Sequence, residues 1–162
     1  MNKERLLILA NFLETRVPRR RFDYSTIVGL DWKGMGDLSC GTVGCALGWA
    51  AVCPELKEAG MQLPLLGKKD EYGHVLVDGT AVFAIAREVF DLNDDESQYL
   101  FQPGWRSEDY AWDVSDDGNE FITSGASNDL GWSADQLEVA AHIRHFVENG
   151  GIQYVKKKEI DE

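Results

Sequence analysis

The sequence predicts a mostly helical α+β fold, about five helices around a buried helix rich in Gly, Ala and Cys, with a small β-hairpin and a short C-terminal strand. Three observations predict it. Apolar residues recur at helical spacing in several separate segments, two apolar runs flank a polar turn in mid-chain, and Pro or Gly punctuates the joins. At 162 residues the chain has the length of one domain able to bury a core, and residues 1–155 read as a single globular unit.

Leu6, Leu9, Leu13 and Val17 repeat at helical spacing with Phe12 beside them, giving a first helix over about residues 2–16 that Pro18 stops. A basic run, Arg19-Arg20-Arg21, follows. It reads as a solvated helix exit, or as a contact for the acidic third of the same chain. From Ser39 to Pro54 small residues (Gly41, Gly44, Ala46, Gly48, Ala50, Ala51) interleave with Val43, Leu47, Trp49 and Val52. Both faces are small or apolar, as in a buried helix whose glycines admit close neighbours. Leu63–Leu66 and His74–Val77 flank Lys68-Lys69-Asp70-Glu71-Tyr72-Gly73, a hairpin pattern. Val82, Ile85, Ala86, Val89 and Phe90 mark a helix from about Thr80. Asn93 with Glu96 three residues on is a capping box, opening a short helix through Phe101 that Pro103-Gly104 ends. Residues 102–132, rich in Asp, Gly, Ser and Trp, read as irregular. Ser133 with Gln136 signals a last cap, and Leu137, Ala140, Ile143 and Val147 a helix running to Gly150-Gly151. Ile152–Val155 carries the pattern of a terminal strand, and 156–162 that of a frayed tail.

The charge balance narrows function. With 28 acidic and 16 basic residues the net charge is −12 and the pI about 4.6, which disfavours a direct grip on nucleic acid through phosphate neutralisation. No uncharged apolar run reaches membrane-spanning length. The excess is local: residues 88–138 hold 14 acids and one base, Arg106, while the flanking segments nearly balance. The N-terminal apolar stretch is broken too soon for a secretory signal. Three cysteines (Cys40, Cys45, Cys53) are an odd number packed into a short segment. Both point to reduced thiols in a cytoplasm.

Arg21-Phe22-Asp23, then Cys40-Gly41-Thr42, Cys45 and Gly48-Trp49, with Phe90-Asp91-Leu92 and Tyr99-Leu100-Phe101 later, carry a resemblance. The chain resembles an uncharacterised family of small phage and bacterial proteins with a Cys-Gly-Thr-x-x-Cys-x-x-Gly-Trp signature. The resemblance covers residues 4–105 and implies a phage or bacterial cytoplasmic setting. The acidic stretch after Phe101 lies beyond it.

Several constellations carry candidate chemistry. Cys40, ahead of the small-residue helix, is placed for thiolate stabilisation by a helix dipole, and His74 is the best-placed base, which together suit a cysteine-dependent hydrolase or transferase. The competing reading makes all three cysteines small core residues. Their spacing lacks a close Cys-x-x-Cys pair for zinc. Glu138, His142 and His145 share one helix face, where a solvated edge is the commoner outcome than a metal site. Asp113 to Asn119 matches the front half of a calcium loop, but Ser124 stands where the bidentate glutamate is needed. No Gly-rich phosphate loop or Gly-x-Ser-x-Gly elbow is present, so no metal or cofactor is expected. A small-molecule pocket beside Trp49 is a third reading.

The acidic block holds Tyr99, Phe101, Trp105, Tyr110 and Trp112 among its carboxylates. Aromatic anchors in a field of one sign suit docking on a basic surface, carboxylates standing in for phosphates; the bland alternative is solubility alone. The leading expectation is a non-enzymatic phage or mobile-element protein that inhibits a host factor, such as a nucleic-acid-binding defence enzyme. Its docking set is Asp94, Asp95, Glu96, Trp105, Glu108, Asp109, Tyr110, Trp112, Asp113, Asp116 and Asp117.

Overall fold

The computed structural model describes residues 1–24, 45–69, 71 and 75–155, and the fold is mostly helical α+β. The elements in order are α1 (Lys3–Arg16), a 3-10 turn (Arg19–Arg21), α2 (Ala46–Ala50), α3 (Pro54–Glu58), β1 (Leu65–Lys69), β2 (Val75–Val77), α4 (Gly79–Phe90), α5 (Asp94–Phe101), β3 (Ala111–Val114), β4 (Glu120–Ser124) and α6 (Gln136–Glu148).

The helices form where the sequence places apolar stripes and caps. Asn2 caps α1 by accepting from Arg5 N at 3.1 Å, and Leu6, Leu9, Ala10 and Leu13 face inward. This stripe packs mainly against α6, and the pair is clamped at its rim where Arg144 meets Glu14 with two bonds of 2.8 and 2.7 Å. The start of α1 also closes the end of α4: Asn2 N and the Arg5 guanidinium donate to the carbonyls of Phe90 and Val89. Asp78 caps α4, and Asp91 ends it in the left-handed region at φ 52°. α5 carries the expected Asn93–Glu96 capping box, with bonds of 2.9 and 3.0 Å. Phe90, Phe101, Tyr99 and Phe146 join α4, α5 and α6 in one aromatic layer, and the buried residues of every helix share one core.

The structure corrects several expectations. The small-residue run contributes to the core, but within the described residues its helix is only Ala46–Ala50, and Pro54 starts α3 rather than ending a helix. Proline fits the first helical position, where its missing N–H costs nothing. The last helix is capped by Asp135 and Glu138, two residues beyond the Ser133–Gln136 pair. Both pairs fit the pattern, and the two carboxylates gain more from the positive end of the helix. Residues 102–132 are not wholly irregular: β3 and β4 form a second antiparallel hairpin. Ile152–Val155 is not a strand but meets Gly125 in a single bridge at Val155. The first hairpin is present, β1 against β2 with an irregular register. Residues 156–162 lie outside the described residues. Among the described residues no helix is long and apolar enough to cross a membrane.

Candidate functional site

The acidic block divides by what its carboxylates do. Several at helix termini are committed to the fold. Asp94 pairs with Arg87, Asp135 pairs with Arg19 at 3.5 Å while capping α6, and Asp91 holds the N-terminal amine at 3.0 Å. Glu96 and Glu138 close capping boxes. The arginine run reaches the acidic third through Arg19, and Arg21 lies over the Trp49 ring at 5.4 Å.

The β3–β4 hairpin and its base carry six more. Every residue of β3 is exposed, and no described helix or strand besides its partner packs closely on it. Asp113, Asp116, Asp117 and Glu120 project from this arm, with Glu108 and Asp109 at its base, and among the described residues none of the six has an ion-pair partner. Trp112 and Val114, two residues apart on one face, are 50% and 48% exposed. The tip is a loop from Ser115 to Asn119, closed by Ser115 N donating to the Asn119 carbonyl at 2.8 Å. Asp117 accepts from the Ser115 hydroxyl and from Asn119 Nδ2, which holds its carboxyl below the usual range. The Asp-Asp-Gly-Asn pattern thus builds a turn, and Gly118 supplies its positive φ of 84°. Among the described residues no three His, Cys, Asp or Glu side chains converge as a metal requires.

Of the expected docking residues, Asp95, Glu108, Asp109, Trp112, Asp113, Asp116 and Asp117 are exposed and Tyr110 is half-buried. Trp105 is not a surface anchor. It is 7% exposed and packs edge-on to Tyr99, 6.0 Å between centroids, while Tyr99 and Phe101 are also in the core. Three of the five aromatics named in the block are there for packing. Two exposed aromatics were not in the expected set: Trp132, 64% exposed in a Gly/Ser loop, and Tyr154, 49% exposed. Tyr154 has no signal in its own segment, because what places it beside the acidic block is the Gly125–Val155 bridge.

Cys40 and His74 lie outside the described residues. The described thiols are unsuited to nucleophilic work. Cys45 is buried at the start of α2, and burial pushes its thiol up. Burial also raises Cys53, which donates to Glu55 Oε2 at 3.3 Å. Glu138, His142 and His145 do not act together. Glu138 caps α6, His142 Nε2 faces the Tyr99 carbonyl at 3.1 Å, and His145 meets Asn149. Trp49, the centre of the small-molecule reading, is buried with its indole N–H donating to the Arg21 carbonyl.

What attaches this acidic arm to the helical core is a buried polar knot. Asn128 donates from Nδ2 to the Tyr24 hydroxyl (2.7 Å) and the Gln102 carbonyl (3.0 Å), and accepts from Leu130 N at 2.9 Å. Tyr24 in turn donates to the Leu100 carbonyl. Burial drives the Tyr24 phenol far above its ordinary range, so it stays a neutral donor. Comparison of the chain with models of known protein families, with curated proteins and with solved structures finds no match in any of the three.

Proposed function

We propose that the chain is a non-enzymatic interaction protein that offers its acidic β3–β4 arm to a basic surface of a partner. The observation that carries this reading is the hairpin itself: six carboxylates without an ion-pair partner among the described residues, with exposed Trp112 and Val114 between them, on an arm that supports little of the core. Exposed apolar area flanked by one sign of charge suits an interface whose aromatic anchor supplies burial and whose charges supply steering. The resemblance to small phage and bacterial proteins makes the partner a host factor, and a groove that normally holds nucleic acid is the basic surface best matched by spaced carboxylates. Inhibition would follow from occupancy of that groove.

The test uses the full chain as bait in a bacterial lysate, with identification of what is retained and measurement of its affinity. Retention should fall by about tenfold or more between low and moderately high salt, and the D113K/D116K/D117K variant should lose it. Binding indifferent both to salt and to the triple reversal would overturn the reading.

A further inference from the structure

A groove of about 590 Å³ opens at the base of the arm, between Glu108–Ala111 on one side and Tyr154 and Val155 on the other, with Ser124 between them. Gly125 sets both walls. Its N–H donates to the Val155 carbonyl at 3.0 Å and its carbonyl accepts from Val155 N at 2.8 Å. On its other side a Cβ would lie 2.6 Å from Tyr110 Cα, so the two chains can approach only because no side chain is present. The rim is held too: Ser124 Oγ donates to the Asp109 carbonyl at 2.7 Å and Ser107 Oγ to the Asp109 carboxylate at 2.6 Å. These bonds fix the groove before any ligand arrives.

Its chemistry is that of a cation receptor. Glu108 and Asp109 line the groove beside the Tyr110 and Tyr154 rings, and partial burial first, then the charges of Asp95, Asp109 and Glu96, hold the Tyr154 phenol above its ordinary range. Among the described residues Arg106 lies over the Tyr110 ring at 4.6 Å, so that ring already accepts a guanidinium on its face. A compact metal ion wants several ligands converging on one point, and among the described residues no three His, Cys, Asp or Glu side chains do so. A long side chain with an apolar stem and a cationic head fits two phenol rings and a carboxylate rim.

We propose that this groove takes an arginine or lysine side chain from an extended basic segment of the partner, its stem between Tyr110 and Tyr154 and its head toward Glu108 and Asp109. This rests on the interaction reading above and names the residue type that reading lacks. The test is an NMR titration of the full chain with three blocked tripeptides, acetyl-Gly-X-Gly-amide, where X is arginine, lysine or citrulline. Arginine and lysine should give saturable shifts confined to Tyr110, Ala111, Ser124, Gly125 and Tyr154, and neutral citrulline none. E108Q and Y154A should each weaken binding by about three- to tenfold while keeping native spectra. The D113K/D116K/D117K variant should retain the titration within about threefold at physiological salt. Absent shifts, equal response to citrulline, or shifts centred on the hairpin tip would overturn the groove. Failure of the arm would appear instead as partner retention that survives the triple reversal.

Discussion

Replacing Gly125 with alanine, beside the same change at Gly118, tests the geometry on which the groove depends. Both glycines have nearly the same positive φ, 80° and 84°, so the backbone cost of adding a side chain is common to the two. That cost is about 1–2 kcal/mol, offset by about 0.4–1 kcal/mol from the lower entropy of the unfolded chain. Gly118 has open space around its Cβ position, so G118A should lose about 1 kcal/mol or less. At Gly125 the new methyl would lie 2.5 Å from Ser107 Oγ and 2.6 and 2.7 Å from Tyr110 Cα and N. The serine can rotate away. The Tyr110 backbone cannot, since its N–H is bonded to the Ser107 carbonyl and β3 starts at the next residue. Forced overpacking of this kind costs about 1–3 kcal/mol, so G125A should lose about 2–4 kcal/mol in all. Urea unfolding of both variants gives the difference, provided the denaturant slope is unchanged. Hydrogen exchange adds a local readout, because the amides of residue 125 and Val155 should exchange faster in G125A and not in G118A. Equal stability of the two variants, within about 0.5 kcal/mol, would refute the close approach at Gly125.

Three further outcomes concern the helical body and its link to the arm. Asn128→Ala should cost about 2–4 kcal/mol by urea unfolding, since it removes three bonds and strands the Leu130 N–H; a loss under about 0.5 kcal/mol would mean water replaces the knot. His142 is held below its ordinary pKa by burial, the Tyr99 carbonyl opposing, so the unfolded chain binds a proton more readily. Stability from this group is therefore present above the unfolded value near 6.5 and is lost as pH falls from there toward the lower folded value. H142Q should flatten that part of the pH–stability curve, and an unchanged slope would count against the burial argument. Glu14 is lowered chiefly by its hydrogen bond from Arg144, so its contribution is present above the unfolded value near 4.5 and fades as pH drops below it. Being at the surface, the pair should yield only about 0.5–1 kcal/mol in a double-mutant cycle of E14Q and R144Q.

Wherever a residue's role depends on neighbours within a few positions, the sequence by itself determined the outcome. The stripe Leu6-Leu9-Leu13 and the Asn93–Glu96 box are of this kind, because caps and helical faces are local geometry. The charge asymmetry of residues 88–138 was equally legible, being a count. The β3–β4 hairpin was not. β3 is exposed along its whole length, so no buried face imposes alternation on it, and the Asp-Asp-Gly-Asn turn between Trp112-Asp113-Val114 and Glu120-Phe121-Ile122 was the hint the sequence held. Which acids are spent and which remain was decided by tertiary structure, since Arg19 reaches Asp135 and the N-terminal amine reaches Asp91 across long stretches of chain. The same holds for Trp105, sent into the core by its contact with Tyr99, and for Tyr154, brought to Tyr110 through Gly125. Composition sets how much charge a chain carries. Where that charge is left unpaired depends on contacts between distant segments, and those exist only once the core has formed.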